Sequence, residues 1–135
     1  MNDATEFDRI IDIGNQMHDI FKDIVSDTAK HIAEGYQDTA PRLSGFMADS
    51  AYYTTSEEST YGQAGAPPKG ATLLPEVDKP ENDLEAYASV AASYATYVEF
   101  GTRYQGAQPR FYPAIDKMWG EMQQELESVE SRLGG

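Results

Sequence analysis

The sequence predicts an α+β domain, a small and mainly antiparallel sheet of three or four strands packed by a long N-terminal helix and a C-terminal helix. Three observations lead there. Apolar residues recur at three- and four-residue steps near both ends of the chain, two short stretches between them carry strand-forming residues, and breakers crowd the region separating those stretches.

The first helical pattern runs from about Thr5 to Gln37. Ile10, Ile13, Met17, Ile20 or Phe21, Ile24 or Val25, Thr28 and Ile32 fall on one stripe, predicted to pack on the sheet or on a neighbouring subunit. Asp3 or Thr5 can cap it, and Glu6 and Asp8 suit the positive end of the helix dipole. Gly35 and Pro41 bracket its end, and Arg42 to Asp49 is expected to make a further short turn. Ala51-Tyr52-Tyr53-Thr54-Thr55 reads as a strand, with a start as early as Phe46 left open. The second strand is Leu84 to Val90, where Leu84, Ala86, Ala88 and Val90 alternate with Glu85, Tyr87 and Ser89. Its small apolar face lets a helix approach closely.

Between the strands lie Gly62, Gly65, Pro67, Pro68, Gly70, Pro75 and Pro80, which rule out regular helix. The segment at about 57–82 is therefore expected to be an extended arm or loop, ordered against a neighbour or floppy, with Ala71 to Leu74 as a candidate short extra strand. Tyr94, Tyr97 and Val98 predict one or two helical turns stopped by Gly101 at φ > 0, where only glycine escapes a Cβ penalty. Thr102 to Gln108 reads as a surface loop. Pro113 is placed as the first residue of the last helix, where its missing N–H costs nothing. That helix carries Ile115, Met118, Trp119, Met122, Leu126, Val129 and Leu133 on one stripe, with Trp119 expected to anchor it to the sheet.

A chain of 135 residues is expected to form a single domain with one core. The absence of cysteine excludes disulfides and thiolate metal sites. No apolar run approaches the ~20 residues a membrane span needs and no basic, apolar leader is visible, so a soluble, unexported protein is expected. The net charge of -13 repels phosphate and argues against adhesive DNA or RNA binding. Solubility, a salty environment, or a channel wall along which DNA slides are all compatible with it.

The stretch Tyr94 to Tyr104, continuing through Ala107-Gln108-Pro109-Arg110-Phe111-Tyr112-Pro113-Ala114, also resembles a known family. YATYVEFGT followed by AQPRFYPA is similar to the two signature blocks of the siphophage tail-completion, or head–tail joining, family of tailed-virus neck proteins. Arg110 and Phe111 stand where the family more often shows an aromatic directly after Pro109. Ala40-Pro41 to Gly45, Phe46 and Ser50 give a weaker second match, and Glu57 to Asp83 has no counterpart. The resemblance makes Tyr94, Tyr97, Glu99, Phe100, Gly101, Thr102, Pro109 and Pro113 the structural signature. It implies a virion structural protein of the neck, made in the host cytoplasm and forming a homo-oligomeric, typically hexameric, ring between the head connector (stopper, adaptor or portal proteins) and the tail terminator or tail tube. DNA would pass through that ring without specific binding. Arg103, Tyr104, Arg110, Phe111 and Tyr112 are the expected interface residues, because aromatics and arginine are enriched at interface centres. A tail terminator or head-side stopper of the same neck is one alternative, and a non-viral acidic enzyme or regulatory module is the other.

Chemistry has few footholds in this sequence. His18 and His31 are expected to be ordinary helix residues, and neither a phosphate-cradling glycine motif nor a nucleophile elbow is present. Asp19, Asp23, Asp27 and His31 follow at i, i+4 spacing, but successive side chains on one ridge do not enclose an ion, so a solvated face is expected and no metal or cofactor. Glu99 is the one acid in the signature. It is expected to accept backbone N–H groups in the turn around Gly101 and Thr102, or to pair with Arg103 or Arg110, and not to serve as a general acid or base.

Overall fold

The computed structural model describes residues 3–40, 45–101, 106–107 and 109–133. Helix α1 (Asp3–Thr39) leads into a short helix α2 (Phe46–Asp49), strand β1 (Ala51–Thr55), the long arm, strand β2 (Ala86–Val90), helix α3 (Ala95–Phe100), helix α4 (Phe111–Glu127) and helix α5 (Val129–Leu133). The strands pair antiparallel, Ala51 opposite Val90 through Thr55 opposite Ala86. This is an α+β arrangement with the long N-terminal and C-terminal helices expected from the periodicities, and among the described residues its sheet has two strands.

The core sits at the C-terminal end of α1, where Tyr36, Ala40, Phe46, Met47, Ala48, Ala51 and Ala92 are buried together. Ala51 and Tyr53 border the same hollow as Lys30, Ala33 and Gln37 of α1. Their partners Val90 and Ala88 therefore face α1 too, and the alanines permit the close approach that the alternation suggests.

Of the two partners expected for the α1 stripe, the rest of the chain covers only the C-terminal part: Ile10, Ile13 and Met17 are exposed at 66%, 44% and 36%, whereas Ile24, Ala29, Ala33 and Tyr36 carry the burial. The reason is length. At 1.5 Å per residue α1 is about 55 Å long, while α4 and α5 together reach only ~33 Å. Ala114 meets Gly35, and Arg110 bonds the Thr39 carbonyl, so the C-terminal helices run back from the far end of α1 and stop short of its first turns. Trp119 does not anchor the last helix to the sheet. It is 56% exposed, and Met118 beside it is buried instead. That last helix is also two pieces, because Ser128 breaks it with its Oγ donating to the Glu125 carbonyl.

The arm is laid over its own sheet. Tyr61 Oη donates to the Leu74 carbonyl at 2.7 Å, Val77 N–H donates to Tyr52 Oη at 3.1 Å, and the Tyr52 and Tyr61 rings meet edge to face. At Ala71 to Leu74, where an extra strand was expected, a single antiparallel bridge joins Leu73 to Ala92.

Candidate functional site

The two blocks singled out in the sequence become one corner, built from α3, its glycine stop and the start of α4. Tyr94 precedes α3 and packs towards the core, its ring 6.3 Å from that of Phe46. Gly101 ends α3 at φ 83°, ψ 172°, a region open essentially to glycine alone, while its N–H donates to the Tyr97 carbonyl at 2.8 Å. Thr102, Arg103 and Tyr104 lie outside the described residues, as do Pro41, expected to bracket the end of α1, and Arg42 of the expected turn after it.

Glu99 is the centre of the corner. It is 8% exposed, and its carboxylate accepts the backbone N–H groups of Arg110 (Oε1, 2.9 Å), Phe111 (Oε1, 2.9 Å) and Tyr112 (Oε2, 3.0 Å). These donors belong to the start of α4, where Arg110, one of the two arginines expected beside Glu99, also stands; Thr102 of the turn expected to supply donors lies outside the described residues. A helix leaves about four N–H groups without an internal partner at its start. Three of α4's go to Glu99, and the next residue is Pro113, which has no N–H to satisfy. Pro113 is therefore the third residue of α4, and its place is explained by the same accounting that expected it at the first. Burial pushes the Glu99 carboxyl up, but the three N–H donors and the nearby Arg110 charge outweigh it and hold it below the usual carboxylate range. Arg110 itself ties the corner to α1, with Nε donating to the carbonyl of Thr39 at 3.1 Å. A guanidinium is well suited to that negative helix end.

The aromatics divide into two sets. Phe111 is half-buried, packs on the core cluster and meets Tyr36 edge to face at 5.8 Å, so it is a packing residue and not the exposed contact expected of it. Burial, with Glu99 and Tyr94 nearby, pushes the Tyr36 phenol far up. Tyr97, Phe100 and Tyr112 point outward at 63%, 63% and 53% exposure, the last two with ring centroids 5.6 Å apart. Phe100 and Tyr97 were assigned only to the structural signature, and helical spacing offered no sign that they would be left open.

Both Glu99 oxygens are occupied by backbone donors. Asp19, Asp23, Asp27 and His31 are all exposed, and no cluster of metal-ligating side chains forms among the described residues. One further cluster joins residues too far apart in the chain for any local pattern to announce it. Ser56 Oγ donates to Asp83 Oδ1 at 2.5 Å, and His18 Nε2 lies 3.7 Å from Asp83 Oδ2. With the carboxylate in the middle the imidazole has no serine to deprotonate, so the group works as a clip joining α1, the turn after β1 and the end of the arm. Lys22 and Glu57 add an ion pair beside it. No described helix is long and apolar enough to cross a membrane. Compared with known protein families, with curated proteins and with solved structures, the chain matches none.

Proposed function

We propose that this chain is a structural protein of the tailed-virus neck, a subunit of a closed ring that completes the tail and joins it to the head connector, with no catalytic role. The observation that carries this reading is the union of the two family-like blocks at Glu99. The acid of the first block holds the helix opened by the second, so described residues of both blocks meet in one corner that presents Tyr97, Phe100 and Tyr112 outward.

A ring closes through a heterologous interface, in which two different patches of each subunit meet. Two apolar patches are available. One is the aromatic corner, and the other is the projecting start of α1, where Phe7, Ile10, Ile11, Ile13 and Met17 are exposed. The net charge of -13 suits a wall past which DNA slides without sticking. The finer expectation of a sheet with three or four strands belongs to this reading as well.

Tyr112→Glu and Ile10→Glu test the pairing of the patches. Each variant alone is expected to be monomeric by analytical ultracentrifugation, under conditions where the unaltered chain forms rings. Mixed, the two should form a heterodimer, because each retains the patch the other lacks. Rings surviving either substitution, or a mixture that stays monomeric, would refute the arrangement. In a virus carrying the gene, loss of either patch should leave heads and tails unjoined.

A further inference from the structure

The two edges of the sheet are treated differently by the chain. Along β1 four of the six outward backbone groups are engaged. Tyr53 N–H donates to Thr60 Oγ1 (3.1 Å), Thr60 N–H to the Tyr53 carbonyl (3.1 Å), Thr55 N–H to the Glu58 carbonyl (2.8 Å) and Gln37 Nε2 to the Ala51 carbonyl (3.0 Å). Along β2 the register decides which groups face out. Ala91 N–H donates to the Ser50 carbonyl, so Ser89 and Tyr87 exchange bonds with Tyr52 and Thr54, and the N–H and C=O groups of Ala86, Ala88 and Val90 point away from β1. Among the described residues these outward groups meet no hydrogen-bond partner. The strand also has none of the devices that usually blunt an edge, being five residues of sequence AYASV without proline, lysine or inward charge.

Beside this edge there is room. Helix α4 packs chiefly on α1, which leaves a cleft of about 230 Å³ between Ala88, Val90, Tyr36, Phe100, Phe111 and Tyr112. Its floor continues along α1. Phe21, Val25 and Ile32 share the stripe of Tyr36 at steps of four and seven, and all three are only half-buried. On the opposite face of β2, Val77 and Asp78 of the arm border a second hollow against Ala86 to Ser89.

We infer that the open edge of β2 is a strand-acceptor site, which takes an extended segment of another polypeptide chain with alternating apolar and basic side chains. Unpaired N–H and C=O groups at every second residue can be satisfied in register only by an extended backbone. Successive side chains of that backbone alternate in direction. One set falls on the apolar floor of α1, and the other falls on the side of Asp78. The negative charge of the whole chain favours basic residues there and disfavours a second copy as the donor. The inference rests on the hydrogen-bond accounting of the sheet; its cleft shares Phe100 and Tyr112 with the corner of the neck reading, but amide exchange in β2 and ring formation are separate readouts, so the two fail distinguishably.

The test is hydrogen exchange of the full chain followed by NMR, with the peptide acetyl-Lys-Val-Lys-Val-Lys-Val-Lys-amide as probe. In the free protein the amides of Tyr87 and Ser89 should exchange slowly, and those of Ala86, Ala88 and Val90 quickly. Added peptide should slow the latter three by roughly tenfold or more while leaving Tyr87 and Ser89 unchanged. The same peptide with Glu for Lys should give no protection. Ala88→Pro removes one outward donor at a position where an edge strand tolerates proline, and should abolish the effect. Ala86→Lys, at the half-exposed start of the strand, does the same through charge and serves if the proline variant does not fold. The inference is overturned if the three amides are already protected, if the Lys peptide leaves them unchanged or protects other residues instead, if the Glu peptide works equally well, if the folded variants respond like the unaltered chain, or if raising the protein concentration alone protects them.

Discussion

Replacing Glu99 by glutamine probes the join between the two blocks with a change of one atom. The carboxylate accepts three N–H bonds at 2.9–3.0 Å, two at Oε1 and one at Oε2. A carboxamide keeps one oxygen for Arg110 and Phe111 but turns an NH2 group towards the N–H of Tyr112, so one charge-assisted bond is lost outright and the other two become neutral. A hydrogen bond to a charged group contributes about 1.5–3 kcal/mol, and a buried donor left unpaired costs a similar amount, so we expect a loss of ~2–3 kcal/mol at neutral pH. For a chain of this size that lowers Tm by roughly 6–15 °C. The pH dependence supplies the control. Glu99's folded-state pKa is depressed, so its contribution is complete above the ordinary value of 4.5 and is lost as pH falls through the folded value. Urea unfolding of both proteins from pH 7 downward should therefore show the gap narrowing in acid. A Tm shift under ~2 °C at pH 7, or a gap that persists undiminished at low pH, would refute the assignment of Glu99 as the cap of α4.

Two further substitutions address the same corner. Gly101→Val places a β-branched residue at φ 83° and should cost at least ~1–3 kcal/mol in urea unfolding; an unchanged midpoint would mean the backbone there is not held as described. Phe111→Ala should destabilise the monomer by ~2 kcal/mol through lost packing on Tyr36, whereas Tyr112→Ala, at a half-exposed ring, should change stability by under ~1 kcal/mol. Equal effects from the two would contradict their separation into an inward and an outward aromatic.

Several features of the fold are legible in the residues alone. Local rules set β1 at Ala51–Thr55, the short helix closed by Gly101, and the helix that follows Pro109, because strand-forming side chains, a positive-φ stop and a proline-tolerant first turn act over only a few residues. The structural role expected of Glu99 is also legible in kind, since a lone acid near a glycine turn has backbone donors within reach. Which donors it takes is not, because the start of α4 is eleven to thirteen residues away and is brought back only by the turn of the chain.

Periodicity places an apolar stripe along α1 and another along the last helix, and hydropathy by itself goes no further. Burial depends on how far the opposing element reaches. A sheet of five-residue strands and a C-terminal pair shorter than α1 cover Ile24 and Tyr36 but leave Ile10 and Trp119 open. The same geometry explains the arm and the sheet edge. Tyr52 and Ala91 capture the arm by bonds between residues far apart in sequence, and the register of Ser50 against Ala91 determines which groups of β2 face outward, where no described residue engages them as the arm engages groups of β1. Short-range stereochemistry thus decided the elements and their ends, while the choice between inward and outward faces came from packing partners that only the folded chain brings together.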